Sequence, residues 1–166
     1  MKLKNQKGVT LIILVITIII IAIIAGIAIY GGTESIKKAK LENIKTDMML
    51  IKAKAKEYVE KANFEMGINA SEEKKSEVRN KFYGQQETGL GLTQESFSEI
   101  PEEKSANTYK VGSEALTKMG LSNIDENEYY IVFDEENVSA EVYSKTGYDG
   151  KHSLTEIEEI NIKETE

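Results

Sequence analysis

The feature that most constrains this chain is a run of 26 residues, positions 8–33, that contains no charged side chain. Within it, residues 9–30 make up 22 positions, and a helix of that length rises roughly 33 Å, enough to cross the hydrocarbon core of a bilayer. Its polar side chains are Thr10, Thr17 and Tyr30. A threonine hydroxyl can bond to a carbonyl of its own helix, so none of these opposes insertion. The sequence therefore predicts a membrane-spanning helix at residues 9–30.

Basic residues set the expected orientation of this segment. Three lysines and the amino terminus precede the apolar run, whereas Glu34 is the first charge beyond it. Three further lysines reduce the asymmetry, but the first segment usually decides orientation. We expect a single pass, with the N terminus cytoplasmic and residues 31–166 extracellular. The leading lysines are Lys2, Lys4 and Lys7, and the later ones are Lys37, Lys38 and Lys40.

Two alternatives concern how the segment is processed. A small-x-small triplet, Gly26-Ile27-Ala28, resembles a signal-peptidase site, but an ordinary secretory signal has an apolar region of only about 7–15 residues. Nearly twenty apolar residues precede the triplet here. An uncleaved membrane anchor is the second alternative, and both remain open.

The junction KGVTLI, residues 7–12, resembles the leader of type IV prepilins, in which a membrane aspartic peptidase cuts after the glycine on the cytoplasmic side. The resemblance implies that residues 1–8 form a leader that ends at Gly8, and that Val9 becomes a new, N-methylated terminus. It also implies a set of partners: prepilin peptidase, the pilus or pseudopilus assembly machinery, membrane lipid before assembly, and other pilin subunits afterwards. A glycine at the cut lets a protease approach the backbone closely.

The sequence departs from this family at two positions. Most members carry a glutamate at the fifth residue after the cut, where this chain has Ile13, and many carry a proline at the position of Tyr30. Leaders without the glutamate resemble those of Gram-positive, clostridial-type pilin-like proteins and of some minor pseudopilins. The chain ending at residues 143–160 is similar to the ending of those proteins. The departures bear on assembly into a major fibre and leave processing unaffected.

The implied assembly helix contains Leu11, Ile12 and Ile13 near its start. Further along, Ala22 and Gly26 form a small-xxx-small pair with Ala25 beside it, a spacing that lets another apolar helix approach closely.

A second stripe of apolar residues extends the helix beyond the bilayer. At about 100° per residue, Ile36, Ile44, Met48, Ile51, Ala55, Val59 and Ala62 fall on one face. We expect one helix over residues 9–63, apolar at 9–30 and amphipathic at 31–63, followed by a globular domain at 64–166. The predicted fold class is α+β, a pilin-like long helix packed on a small antiparallel sheet; a juxtamembrane helix lying on its own domain gives the same stripe.

Composition limits the functions of the exported part. The chain has 166 residues and no cysteine, which excludes disulfides and thiolate metal sites. After Tyr30 it carries 18 basic and 28 acidic side chains, a formal charge of −10. Such a field repels polyanions and counts against nucleic-acid binding. A local patch at Lys37, Lys38, Lys40 and Lys45 is the exception, and a solvated helix face explains it equally well.

Capping and turn signals outline the globular domain. Ser71 begins a short helix that ends at Phe82, Ser113 to Met119 forms another that Gly120 closes, and Ser153 with Glu156 is a capping box. Residues 84–105 are predicted to be loop, and 147–151 a turn. Residues 128–134 and 138–143 are predicted to form an antiparallel hairpin. Either Tyr129, Ile131 and Phe133 or Tyr130 and Val132 face the core, and the wet face of the second strand carries Ser139, Glu141 and Tyr143.

Catalytic residues are scarce. His152 is the sole histidine, and without a second imidazole or a thiol we predict no enzyme activity, no cofactor and no metal. Acidic clusters at residues 125–128 and 134–137 leave a calcium site as an alternative, although neither has EF-hand spacing. A secreted enzyme starting near Ile29 is the remaining alternative. The sequence thus predicts a pilin or pseudopilin subunit or, alternatively, an unprocessed single-pass surface protein.

Overall fold

The computed structural model describes residues 6–84, 89–124 and 128–160, and within the first helix it describes side chains at residues 14–22 and from 33 onward. The chain is α+β. Its helices are α1 Gln6–Met66, α2 Glu72–Phe82, α3 Ser113–Lys118 and α4 Leu154–Glu158, with a 3₁₀ helix at Glu102–Asn107. Its strands are β1 Thr93–Gln94, β2 Thr108–Val111, β3 Tyr129–Asp134, β4 Ser139–Tyr148 and β5 Lys151–Ser153.

Contacts divide the chain into two compact units, Met1–Lys40 and Leu41–Glu166. The second, which we call the C-terminal unit, contains the last part of α1 and all other elements. Its five strands form one antiparallel sheet in the order β1-β2-β3-β4-β5. Each strand therefore pairs with its neighbour in sequence; the β1–β2 connection contains the 3₁₀ helix and the β2–β3 connection contains α3.

Residues of α1 form one side of the main core. Six residues of the predicted stripe, from Ile44 to Ala62, are buried as expected, and they pack with sheet residues such as Ile131 and Val142. The stripe also includes Leu41 and Met66, which the sequence analysis missed. Ile36 was wrongly included, because its side chain is 57% exposed. From Leu41 onward the buried positions recur every three or four residues, as one helix face requires.

The opposite face of the sheet is also covered. Tyr130, Val132 and Tyr143 are buried there with Ile100, and Phe97 stacks on Tyr130 at a ring distance of 4.8 Å. The sequence left open which side of β3 faces the core, and the structure buries both. Tyr143 was wrongly placed on a wet face, because the segment that carries Phe97 and Ile100 covers it.

That covering segment corrects the predicted loop at residues 84–105. The described part contains β1 and the start of the 3₁₀ helix, while residues 85–88 lie outside the described residues. Both elements are short and polar, so they lack the apolar periodicity that identifies a strand or helix in sequence. Pairing of β1 with β2, which joins Thr93 to Lys110 and Gln94 to Tyr109, holds the segment against the sheet.

The β3–β4 hairpin differs from its prediction at the turn and at the far end of β4, which was predicted to end at Tyr143. Asp134 pairs with Ser139, and its carboxylate accepts hydrogen bonds from the Asn137 amide N–H at 3.0 Å and from Nδ2 at 2.8 Å. Val138 belongs to the turn, with φ of +49°, so β4 begins at Ser139 and runs to Tyr148. A β-branched residue in this left-handed region is uncommon and ends regular pairing.

Local capping signals were more accurate. The Ser71 hydroxyl accepts from the Lys74 amide at the start of α2, and Ser153 and Glu156 form both bonds of a capping box at α4. α3 ends where Gly120 adopts a φ of +76°, as predicted. α1 extends three residues past its predicted end, to Met66, where Gly67 at φ +72° supplies the left-handed residue that stops a helix.

Candidate functional site

The candidate site is the part of α1 at residues 14–22, which we call the apolar segment. Its seven large apolar side chains are all exposed, from 47% at Val15 to 65% at Ile21. Consecutive helical residues turn by about 100°, so these positions cover the whole circumference of the helix. The segment has no polar face to turn toward water, unlike a surface helix of a globular protein. The large apolar residues are Leu14, Val15, Ile16, Ile18, Ile19, Ile20 and Ile21.

The one polar side chain in the segment makes its bond within the helix. Thr17 Oγ1 donates to the Leu14 carbonyl at 2.8 Å, which confirms the local bonding expected of this threonine. The segment therefore offers its surroundings hydrocarbon alone. A neighbour that covers it needs no hydrogen-bonding groups.

The free energy available from covering this segment is large. Fully burying a Leu, Val or Ile side chain gains about 1.5–3 kcal/mol relative to leaving it exposed. Seven half-exposed side chains thus represent on the order of 10 kcal/mol. Contiguous exposed apolar surface of this kind marks contact with a membrane or another protein.

Most of the predicted processing and assembly residues have side chains outside the described set. These are Gly8, Val9, Leu11, Ile12, Ile13, Ala25 and Gly26, whereas Ala22 is described and exposed. The backbone of Gly8 and Val9 lies in α1, which begins at Gln6. Within the described part of the chain, no helix is both long and apolar enough to cross a membrane.

At its other end, α1 borders an open cleft of about 660 Å³ whose lining includes Asn63, Gly67, Arg79 and Glu135. Glu135 lies on one wall of the cleft and accepts hydrogen bonds there. Its carboxylate accepts from Arg79 Nε at 2.9 and 3.1 Å and from Nη2 at 2.6 Å, and its backbone carbonyl accepts from Asn63 Nδ2 at 2.7 Å. The hydrogen bonds to Glu135 raise the pKa of Arg79. These contacts join α1, α2 and the β3–β4 turn.

The acidic clusters considered for calcium have protein partners where the structure describes them. Asp134 bonds to Asn137 and Glu135 to Arg79, while residues 125–127 lie outside the described residues. In the described part of the chain, no group of three or more histidine, aspartate or glutamate side chains is arranged to hold a metal ion. The calcium alternative therefore gains no support from residues 134–137.

Glu128, next to that undescribed stretch, bridges two strands. Its carboxylate pairs with Lys145 on β4 and with Lys110 on β2 at 2.9 Å, and Lys110 also lies 3.8 Å from Glu95. Hydrogen bonds from Lys145 and then Lys110 lower the pKa of Glu128 to about 2. The carboxylate therefore connects β2 and β4 at the start of β3.

Two other predicted positions have structural partners. His152 Nδ1 lies 2.9 Å from the Ser144 carbonyl, and its ring contacts the edge of Phe97 at 5.7 Å. Lys45, a member of the proposed basic patch, donates to the Ile160 carbonyl at 3.2 Å and so neutralises the C-terminal end of α4. Both residues stabilise the C-terminal unit through these contacts.

One exposed surface of α1 was not predicted from the sequence. Thr46, Met49, Leu50 and Ala53 are exposed on the side of α1 that faces away from the core. Their spacing of i, i+3, i+4 and i+7 is the signal that would have revealed a second apolar stripe, but interspersed lysines masked it.

Comparison with known proteins gave no match: no protein-family profile, no curated protein and no solved structure resembles this chain significantly.

Proposed function

We propose that this protein is a structural subunit, a pilin or pseudopilin, that is cut after Gly8 and assembled through its apolar helix into a surface fibre or a secretion-type pseudopilus. The observation that carries the proposal is the apolar segment, whose side chains are exposed on every side of the helix. Surroundings of hydrocarbon, first lipid and then the same helix of other subunits, satisfy such a surface. The KGVTLI junction is the independent support.

The proposed architecture is pilin-like. Residues 9–30 lie in the membrane with the N terminus in the cytoplasm, and the C-terminal unit lies outside the cell. Hydrolysis of the Gly8–Val9 peptide bond adds one water, leaving a carboxylate on Gly8 and an amine on Val9. The reaction removes Lys2, Lys4 and Lys7 together. Lysines at a membrane surface oppose movement of the helix into apolar surroundings, so their removal lowers the cost of extracting the subunit into a fibre.

Two local properties support cleavage at this bond. Gly8 has no side chain to obstruct a protease, and it costs a helix about 1 kcal/mol relative to alanine. The bond also lies close to the described start of α1, at Gln6, and helix ends open more readily than helix interiors. Local unwinding there exposes the bond without disturbing the rest of α1.

The test is to co-express the full chain with a prepilin peptidase and measure the mass of the product. Loss of residues 1–8 is the expected result, with Gly8→Val as a matched control that keeps the apolar run but obstructs the cut. An intact leader in the presence of a peptidase that processes a known prepilin would overturn the proposal. Shearing cells and finding the processed chain in the fibre fraction tests assembly separately.

The second candidate is an unprocessed, monomeric single-pass surface protein. The observation that favours it is Ile13, which replaces the glutamate thought to pair with a neighbouring subunit's amino terminus in the pilin family. It requires native protein that begins at Met1 and stays with the membrane after shearing. N-terminal sequencing distinguishes the two candidates directly.

A further inference from the structure

The open cleft at the end of α1 has two large apolar side chains in its lining that the fold leaves uncovered. Phe64 is 91% exposed and Ile68 is 96% exposed, and both border the void of about 660 Å³. This volume lies within the range of ligand-binding clefts, about 300–1,000 Å³. An uncovered aromatic ring beside a concave surface indicates a ligand that covers it.

The backbone between α1 and α2 keeps Ile68 out of the core. Gly67 and Asn69, the residues on either side of it, have φ of +72° and +62°. Glycine adopts this left-handed region freely, and asparagine is one of the few other residues that tolerate it. Met66, one residue before this turn, is 6% exposed. The chain thus passes from a buried to an exposed apolar side chain within one tight turn at the edge of the cleft.

Polar groups with unused hydrogen-bonding capacity also line the cleft. The Arg79 guanidinium donates to Glu135 through Nε and Nη2, and in the described part of the chain Nη1 has no acceptor. Asn63 donates Nδ2 to the Glu135 carbonyl, which leaves its Oδ1 as an acceptor. The Glu136 carboxylate is exposed and has no hydrogen-bond partner among the described residues. Because Arg79 and Asn63 are already held in place, a ligand need not order them.

The charges that line the cleft cancel. They are Lys75, Arg79, Glu135 and Glu136. Arg79 is paired with Glu135, and Lys75 Nζ lies 2.6 Å from the Glu72 carboxylate. An anion would meet the Glu136 carboxylate and a cation would meet two basic side chains, so electrostatic complementarity favours neither. The lining therefore suits a neutral ligand that carries several hydrogen-bonding groups and one apolar face.

We propose that this cleft binds a neutral oligosaccharide. One face of a sugar ring presents C–H bonds whose hydrogens are weakly positive, and the face of an aromatic ring is weakly negative. Phe64 offers such a face, and Ile68 extends the apolar surface beside it. Sugar hydroxyls both donate and accept, so they match the donors of Arg79 Nη1 and the acceptors of Asn63 and Glu136. The inference goes beyond the proposed function and does not depend on leader cleavage or on assembly.

A fluorescent reporter can be placed at the cleft without interference, because the chain contains no tryptophan. The emission of Phe64→Trp should shift to shorter wavelength when chitotriose or maltotriose covers the indole. Leu50→Trp, at a 45% exposed position outside the cleft, is the matched control and should show no shift. The full chain is kept in lauryldimethylamine oxide micelles, whose headgroup contains no sugar. No shift with either trisaccharide at millimolar concentration would overturn the inference.

Saturation-transfer difference NMR measures the affinity of the tryptophan-free chain for the same trisaccharides. Phe64→Leu keeps an apolar side chain but removes the ring face, and should weaken binding about tenfold, which corresponds to about 1.4 kcal/mol. Glu136→Ala removes an acceptor and should also weaken binding, whereas Glu77→Ala, at an exposed acid on α2 outside the cleft, should not. Near-UV circular dichroism checks that each variant keeps its fold. Unchanged affinity in both Phe64→Leu and Glu136→Ala would contradict the proposed site.

Two further probes separate neutral sugars from other ligands. Trigalacturonate has sugar rings but is negatively charged, and it should bind more weakly than the neutral trisaccharides. Tighter binding of this anion would show that the ligand is not neutral and would overturn the inference. A capped neutral peptide, acetyl-alanyl-leucyl-alanine amide, should leave the emission of Phe64→Trp unchanged. If the peptide shifts the emission and the trisaccharides do not, the cleft binds peptide and the inference is likewise wrong.

Discussion

Two parts of α1 differ in how their apolar side chains are arranged around the helix. In the apolar segment every large side chain is exposed, whereas from Leu41 to Met66 one stripe is buried and most of the remaining positions are partly or fully open to water. The backbone hydrogen bonding is the same in both, so secondary structure does not explain the difference. What differs is the arrangement of apolar residues: a stripe can be covered by the chain's own sheet, but a full circumference needs neighbours from outside the chain.

The largest expected effect separates these two parts directly. Ile51→Ala removes a fully buried side chain from the core and should lower the free energy of unfolding by about 2–5 kcal/mol. Ile19→Ala makes the same chemical change at a 53% exposed position and should alter it by less than about 0.5 kcal/mol. Urea unfolding in detergent, followed by near-UV circular dichroism of the tyrosines, measures both. Equal losses in the two variants would contradict the contrast.

Features that depend on residues close together in the sequence were predictable, and features that depend on distant residues were not. Caps depend on residues three or four apart, so Ser71, Ser153 and Gly120 were recognisable without a structure. The buried face of α1 was also recognisable, because helical periodicity is local. Ile36 shows the limit: it continues the pattern, but periodicity does not tell where the covering sheet stops.

Long-range contacts account for what sequence missed. Nothing in residues 93–94 marks a strand, since β1 exists only through pairing with β2. Burial on both sides of β3 depends on Phe97 and Ile100, more than twenty residues earlier in the chain. Likewise, Glu135 and Arg79 are 56 positions apart, so sequence offered no reason to connect them. Their apposition closes one wall of the cleft.

Placing a charge in the apolar segment should have the next largest effect, on retention of the protein in membranes. A lysine at the centre of a membrane-spanning helix costs about 2.5–3.5 kcal/mol, so Ile19→Lys should release much of the protein from alkali-washed membranes. The unfolding midpoint of the C-terminal unit should stay the same, because its core does not include this residue. Ile19→Leu is the control, since it preserves the hydrocarbon. Full retention of the lysine variant in membranes would argue against hydrocarbon surroundings.

The C-terminal unit, unlike the apolar segment, also depends on polar contacts. Glu135→Gln keeps the shape of the side chain but leaves the Arg79 guanidinium, 31% exposed, without its counter-charge. A hydrogen bond to a charged group contributes about 1.5–3 kcal/mol, and partial solvation places the expected loss near the lower end of that range. Glu136→Gln, at the exposed neighbouring residue, is the matched control and should have almost no effect. Thermal unfolding of both variants makes the comparison.

Lowering the pH should change the stability of the C-terminal unit but not the membrane association of the apolar segment. This is the smallest effect expected. Residues 8–33 carry no acidic or basic side chain, so membrane association through them should not change between pH 2 and pH 7. In the C-terminal unit, Lys145 and Lys110 hold the pKa of Glu128 at about 2, below its ordinary value of 4.5. A carboxylate whose pKa is lower in the folded state stabilises the fold above pH 4.5, and that contribution is lost as pH falls toward 2.

Glu128→Gln isolates this contribution. Its unfolding temperature should lie below that of the wild type at neutral pH, and the gap should close as pH falls from about 4.5 to about 2, where the wild-type carboxyl becomes protonated. Lys145→Met should reproduce part of the gap, because it removes the partner whose hydrogen bond lowers the pKa most. The ion pairs of Glu128 with Lys145 and Lys110 are exposed, so the difference in unfolding temperature should be small and should shrink in high salt. A gap that persists unchanged at pH 2 would mean that Glu128 acts through packing, and that the charge contrast between the two parts has no bearing on stability.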